Sequence, residues 1–121
     1  MSDQVIAAAI EVHKVLGGPG LLESIYEDAL AYELGLRKIP FQRQLAVPVC
    51  YKGMPVREAL RLDLLIDDHI VVEVKATEKI LELHSAQVLT YLRLVRRKLG
   101  LVLNFGLPLL RDGISRIVND L

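Results

Sequence analysis

Leu60-Arg61-Leu62-Asp63-Leu64-Leu65-Ile66-Asp67-Asp68-His69-Ile70-Val71-Val72-Glu73-Val74-Lys75-Ala76 is the stretch from which the fold is read. Leu60, Leu62, Leu64, Ile66, Ile70, Val72, Val74 and Ala76 occupy even positions and are all apolar, while the charges outside the central Asp67-Asp68-His69 fall on odd ones. Side chains of a strand alternate between faces, so Glu73 and Lys75 share one face and Val72, Val74 and Ala76 the other. The acidic centre, Asp67-Asp68-His69, reads as a hairpin apex between a strand over Ala59 to Ile66 and another over Ile70 to Ala76. A two-residue apex would pair Ile66 with His69 and set the Asp63 carboxylate among aliphatic side chains, which is costly. A three-residue apex pairs Ile66 with Ile70 and brings Arg61, Asp63, Glu73 and Lys75 to one face. It requires a left-handed residue, which Asp tolerates.

Two carboxylates held close together repel, and the relief is a shared proton or a bound cation. Mg²⁺ accepts one or two carboxylates and completes its octahedron with waters and a substrate phosphate. Lys75 beside such an ion can orient an attacking water or offset charge developing on a phosphoryl group. Asp63, Glu73 and Lys75 are therefore candidate residues for metal-dependent phosphodiester hydrolysis.

Outward from the hairpin, Val5, Ala8, Ala9, Val12 and Leu16 recur at helical spacing until Gly17-Gly18-Pro19-Gly20 stops them. Leu22, Ile25, Ala29, Leu30 and Leu34 predict a second helix over Leu21 to Leu36. Phe41 to Tyr51 reads as a strand and Lys52-Gly53-Met54-Pro55 as a turn. On the far side, Ala86, Val88, Leu89, Leu92 and Val95 predict a helix over Ser85 to Leu99, with Gly100 as its stop. Leu101 to Phe105 follows as a strand able to join the sheet in parallel, and Ile114 to Val118 as an edge strand. The order is an α/β sandwich around a mixed sheet.

The chain has 121 residues and 52% hydrophobic content, which suits one domain over 1–121 with its own core. Fifteen basic residues balance fifteen acidic ones, so the global positive charge of many nucleic-acid binders is absent and any such contact must be local. Arg93, Arg96, Arg97 and Lys98 form one candidate patch; Arg37, Lys38 and Arg43 form another. Aromatic residues are 5% of the chain, with no Trp, which argues against a dedicated single-strand binder. The single Cys50, between Val49 and Tyr51, reads as a buried strand thiol in a reducing, cytoplasmic compartment. Met1 to Gln4 show no export signal, and no apolar run reaches membrane-spanning length.

Asp63, nine intervening residues, then Glu73-Val74-Lys75 on a hairpin resembles the core of the PD-(D/E)XK nucleases. Gln87 and Tyr91, one helical turn apart, resemble the QxxxY motif of the RecB-like members of that superfamily. Gly20-Leu21-Leu22-Glu23-Ser24-Ile25-Tyr26 is similar to the signature of its GxxExxY family. The resemblance spans about Val5 to Val118. It implies an αβββαβ core, its mixed sheet flanked by helices and preceded here by an extra N-terminal helix. It further implies that Asp63, Glu73 and the Val74 carbonyl bind Mg²⁺ or Mn²⁺, with Glu23 assisting. Gln87 would orient the site or touch the scissile phosphate, and Tyr91 would support Gln87 or the DNA backbone. Leu62 stands where the superfamily's name has a proline.

Plainer roles compete. Glu-x-Lys on a strand is ordinarily a solvated face, and the matching Asp63 is what favours a site. Glu23 in a helix's first turn is stabilised by the macrodipole whatever its function. Tyr26 reads as core. Gln87 and Tyr91 fit the margin of an amphipathic helix. His84 lacks a second His or Cys at ligand spacing, and His13 and His69 read as surface residues. Arg93 to Lys98 can be a solvated helix end. Cys50 has no histidine partner, Ser24 and Ser85 lack a nucleophile elbow, and Gly17 to Gly20 is no P-loop. Two functions remain. One is a metal-dependent nuclease acting on DNA, with RNA as the alternative, no membrane partner, and a homodimer to supply basic surface. The other is a catalytically inactive nuclease-fold module acting in self-association or partner binding.

Overall fold

Apolar side chains at helical spacing put Val5, Ala8, Ala9 and Val12 on one buried stripe of α1, Ser2–Val15. The computed structural model describes residues 1–56, 59–79 and 81–121. The glycine-rich run after α1 holds Gly17, Gly18 and Gly20 at φ of 88°, 91° and 117°, conformations that end a helix and are strained for other residues. The chain then enters α2, Glu23–Leu36, whose Tyr26, Leu30 and Leu34 are fully buried.

Strand β1, Phe41–Val47, ends before the expected Tyr51, because Pro48 has no amide to continue the ladder. A two-stranded arm follows, β2 (Cys50–Tyr51) with β3 (Met54–Pro55). Cys50 is exposed there, which corrects its expected burial. Then come β4 (Leu60–Ile66), β5 (Ile70–Lys75), α3 (Glu82–Val95), β6 (Leu99–Asn104), a 3-10 turn at Leu110–Gly113 and β7 (Ile114–Val118). The five-stranded sheet runs β1-β4-β5-β6-β7. Among the described residues only the β5–β6 pair is parallel within it, and α3 lies on the crossover between them. With α2, β1, β4, β5, α3 and β6 in order, this is the expected αβββαβ core with an extra N-terminal helix and an added edge strand.

Both faces of the sheet are covered. Leu64, Ile66, Val72, Val74, Leu101 and Leu103 pack under α1 and α2. Leu65, Val71 and Val102 pack with Val88 and Leu92 of α3. The odd-numbered face of the hairpin is therefore roofed by α3, which the charge pattern did not anticipate.

Helix α3 begins earlier and stops earlier than expected. Arg96 takes the left-handed conformation at φ 57°, and the Arg97 amide donates to the Leu92 carbonyl at 3.0 Å. The Arg97 guanidinium then donates to the Asp68 carbonyl and carboxylate at 2.7 and 2.9 Å. These bonds close the helix without glycine. Gly100 lies instead inside β6 beneath α3, where an added Cβ would overlap Val88 Cγ1 and crowd Leu92. Gly100→Ala is expected to lower stability by about 1–3 kcal/mol through overpacking, measured by thermal or denaturant unfolding. An unchanged midpoint would mean that α3 lifts freely from the sheet.

Candidate metal centre

The β4–β5 hairpin pairs Ile66 with Ile70, Leu65 with Val71 and Leu64 with Val72 around the apex Asp67-Asp68-His69. The apex has the odd length expected, with two left-handed residues, Asp67 at φ 53° and Asp68 at φ 58°. Beyond Leu64 and Val72 carboxylates replace the ladder. The Asp63 amide donates to Glu73 Oε1 at 3.2 Å, and the Val74 amide donates to Asp63 Oδ2 at 2.8 Å. Each acid thus caps the other strand's open backbone. In an extended strand the amide and carbonyl of one residue point the same way, so the Val74 carbonyl also faces this opening.

Strands β1 and β4 change faces at the same place, whereas β5 keeps its alternation, with Val72 and Val74 both on the α1/α2 side. On β1 the pairs Arg43–Leu64 and Leu45–Leu62 flank Gln44, which is left-handed at φ 51°. Phe41 and Leu64 lie on the α1/α2 side, whereas Leu45, Val47 and Leu62 lie on the α3 side. Leu62 therefore departs from the single buried face expected of Leu60, Leu62, Leu64 and Ile66. Asp63 sits at the crossing point.

Burial and proximity put these two acids under electrostatic strain. Glu73 is 6% exposed, and burial, then the Asp63 carboxylate, push its carboxyl up to about 8. Burial also raises Asp63, opposed by the hydrogen bond from the Val74 amide. Lys75, two residues along β5 from Glu73, lowers both carboxyls through its charge. Tyr91 comes within their influence from α3: burial, then Glu73 and Asp63, push its phenol up. Gln87, one turn earlier, is exposed. His84 in the first turn of α3 is lowered by burial and by Lys75, with Glu23 acting the other way. Glu23 is exposed at the start of α2, where it lines a cleft with Leu21, Leu22 and Ala76, the residue after Lys75.

The acid that α2 brings to the centre is Glu27, which is 7% exposed. Gln44 Nε2 donates to its two carboxylate oxygens at 3.0 and 3.2 Å and reaches Asp63 Oδ1 at 3.4 Å. Arg43 donates to Glu27 Oε2 at 2.8 and 3.1 Å and also pairs with Asp28. The charge of Glu27 raises both Asp63 and Glu73. The sequence held a signal for it: Glu27 lies on the stripe of Ala31 and Leu34, an acid in register with buried residues. Gln44 carried no such mark, because its role follows from the backbone inversion.

Other expected residues lie elsewhere. Ile70 pairs with Leu99, so Arg96, Arg97 and Lys98 flank the beginning of β5. Lys75 is at its other end, roughly 16 Å away at 3.3 Å per residue. Arg93, Arg96 and Lys98 are exposed, and Arg97 is tied to Asp68. Arg37 pairs with Glu33 at 2.8 Å and Arg43 with Glu27, so these two of the second basic group are engaged within the fold. His13, expected at the surface, is buried against Phe105, its Nε2 3.0 Å from the Leu107 carbonyl oxygen. His69 is exposed as expected. Tyr26 is core: its ring stacks on Phe105 at 4.7 Å. Its hydroxyl donates to the Gly18 carbonyl at 2.7 Å and accepts from the Leu21 amide at 3.2 Å, holding the glycine run against α2.

Among the described residues no three His, Cys, Asp or Glu side chains form a complete metal cage. The donor set on offer is two strained carboxylates and a backbone carbonyl. These are hard oxygens, few in number, with which Mg²⁺ retains waters and takes a phosphate oxygen from its substrate. Their chemistry fits such an ion, and neutralising Glu73 and Asp63 would relieve their repulsion.

Compared with known families, residues 1–117 match the one described as the PD-(D/E)XK nuclease superfamily. No curated protein and no solved structure matches the chain. Among the described residues no helix is long and apolar enough to cross a membrane.

Proposed function

The chain belongs to the PD-(D/E)XK nuclease superfamily, and from that premise we propose that it is a Mg²⁺- or Mn²⁺-dependent nuclease hydrolysing DNA phosphodiester bonds. The observation that carries this reading is the mutual capping of Asp63 and Glu73 beside Lys75 at the opening of the hairpin. Asp63, Glu73 and the Val74 carbonyl would hold the ion. A divalent cation bound there would make a water nucleophilic at neutral pH and offset charge on the phosphoryl oxygens. Lys75 would orient that water and stabilise charge as it develops. Gln87 and Tyr91 would meet the phosphate from α3, and Glu23 would act from the start of α2. Glu27 would fix Asp63 through Gln44. RNA is the alternative substrate. The Gly20 to Tyr26 signature supports placement in the GxxExxY family.

Calorimetric titration of Mg²⁺ or Mn²⁺ into the wild type and Asp63→Asn tests the reading. The wild type is expected to bind one ion per site, and the variant to lose that heat. Cleavage of single-stranded, nicked, branched or duplex DNA should follow the same pattern. A wild type that binds neither metal and cuts none of these substrates would overturn it.

A second reading is favoured by Val15, Tyr32 and Leu36, which are 72, 72 and 61% exposed around a cleft between α1 and α2. It is a nuclease-fold module that self-associates or docks on a partner through this face. A homodimer would also serve the enzyme, by doubling its basic surface. Sedimentation of the wild type against Tyr32→Asp tests that association; a strict monomer at high concentration would remove it.

A further inference from the structure

The arm β2–β3 leaves the sheet where β1 ends at Val47 and β4 begins at Leu60. Because β4 and β5 are antiparallel, that is the end of the sheet carrying Glu73 and Lys75. The start of α2 lies at this end too, since Leu22 and Glu23 line one cleft with Ala76, next to Lys75, and α3 begins at Glu82, shortly after β5 ends at Lys75. Among the described residues the hydrogen bonds of the arm are its own. Cys50 pairs with Pro55, Tyr51 with Met54, and the Val56 amide donates to the Val49 carbonyl at 3.2 Å. Its tip turns at Lys52 and Gly53, with φ of 50° and 81°, the two positive values that a tight type I′ hairpin requires.

The composition of the arm is unusual for a structural element. Tyr51, Met54 and Val56 are 63, 66 and 53% exposed, so they contribute little to the core. Residues 48 to 56 contain no Asp or Glu. Lys52 Nζ lies 5.4 Å from the Tyr51 ring centroid, covering one face of the ring and leaving a cation beside an exposed aromatic. Leu22 and Leu83, at the starts of α2 and α3, are 71 and 62% exposed at the same end of the molecule. Stacked duplex presents phosphates to such a surface, whereas unpaired bases present π-faces that aromatic and apolar side chains can cover.

We propose that the β2–β3 arm is a substrate-reading element that takes unpaired nucleobases flanking the cleaved bond, with Tyr51 and Met54 against the bases and Lys52 on a backbone phosphate. The inference rests on the nuclease reading for the identity of the ligand. One aromatic side chain gives a preference for a single-stranded flank and not the long groove of a dedicated single-strand binder. At 3.3 Å per residue, Tyr51 is within roughly 23 Å of Gln44 along an extended chain, about seven base steps of 3.4 Å from the carboxylates.

The test is fluorescence anisotropy in EDTA, where no cleavage occurs, with a blunt DNA duplex, the same duplex bearing a single-stranded flap, and a matching RNA flap. The wild type is expected to prefer flapped to blunt substrate, and Tyr51→Ala to lose roughly tenfold on the flaps alone, as expected for removal of one stacked base. Tyr51→Phe should retain the preference. Stronger loss on the DNA or the RNA flap identifies which strand the arm reads. Equal binding of Tyr51→Ala and wild type on every substrate would overturn the proposal, as would an equal loss on flapped and blunt duplex. So would a wild-type dimer that Tyr51→Ala dissolves without changing oligonucleotide binding, since the arm would then be a protein contact. Asp63-dependent metal binding is measured separately by calorimetry. Failure of the arm with an intact metal site is thereby distinguished from failure of the nuclease reading.

Discussion

Asp63→Asn is expected to leave a folded protein whose metal-dependent cleavage has fallen by roughly a thousandfold, the scale of losing one preorganised charge from an enzyme site. Folding should survive because the Asn carbonyl oxygen can still accept the Val74 amide, the bond that Asp63 Oδ2 now takes at 2.8 Å. The missing negative charge weakens the hold on a divalent ion and, in the absence of metal, relieves repulsion against Glu73. Activity and stability should therefore move in opposite directions: kcat/KM falls, while the melting temperature of metal-free protein at neutral pH holds or rises. Both are read on the same preparation. A variant that melts far below the wild type would show that Asp63 serves chiefly to close the hairpin, and one that retains full cleavage would remove it from the site.

The second large effect lies in how stability depends on pH. Glu73 is pushed up to about 8 in the folded chain from an ordinary value of 4.5. A carboxyl raised on folding favours the native state while protonated, so its contribution is complete below about 4.5 and is lost as pH climbs through 8. Metal-free wild type should accordingly weaken across that window by an amount on the order of a few kcal/mol, since a tenfold change in acidity between the folded and unfolded chains corresponds to about 1.4 kcal/mol. Asp63, also raised, adds in the same direction. Glu73→Gln keeps an acceptor for the Asp63 amide and removes the titration, so the difference in unfolding free energy between variant and wild type should grow from pH 5 to pH 8.5. Saturating Mg²⁺ should flatten the wild-type curve, because the ion favours the charged carboxylates. A constant difference between the two proteins across this range would contradict the electrostatic strain assigned to Glu73.

Much of this architecture was legible in the sequence because a few patterns are physically restrictive. Apolar residues on alternate positions of Leu60 to Ala76 left an odd apex as the arrangement that avoided burying Asp63 among aliphatics, and Ile66 pairs with Ile70 accordingly. Helical stripes marked α1, α2 and α3. Errors arose where a residue's role depends on something distant in the chain. Gly100 looked like a helix stop because it follows an apolar stripe, but it is small to fit under Val88, a contact invisible in local spacing. Arg93 to Lys98 looked like one surface patch, yet Arg97 is bound to Asp68 at the hairpin apex, just before the neighbouring strand. Glu23 drew attention through its motif, whereas Glu27, one turn later, faces Asp63 through Gln44. The backbone inversion at Gln44 is the least legible feature. A left-handed glutamine has no sequence signature, and its consequence, Leu62 on the α3 side, contradicts simple alternation.

The three-residue apex also has a kinetic meaning. Asp63 and Glu73 are joined by a short closed loop, so little chain entropy is lost in bringing them together. Pairing β6 beside β5 must wait for the whole α3 crossover, and Glu27 must arrive from another helix. The two mutually repelling acids are thus expected to meet early, in a hairpin still open to water, and to be sealed in by α2 and α3 only later. A dissolved divalent ion present during refolding would act on that early species, and the metal would then take part in assembling the sheet as well as in the chemistry proposed for the finished protein.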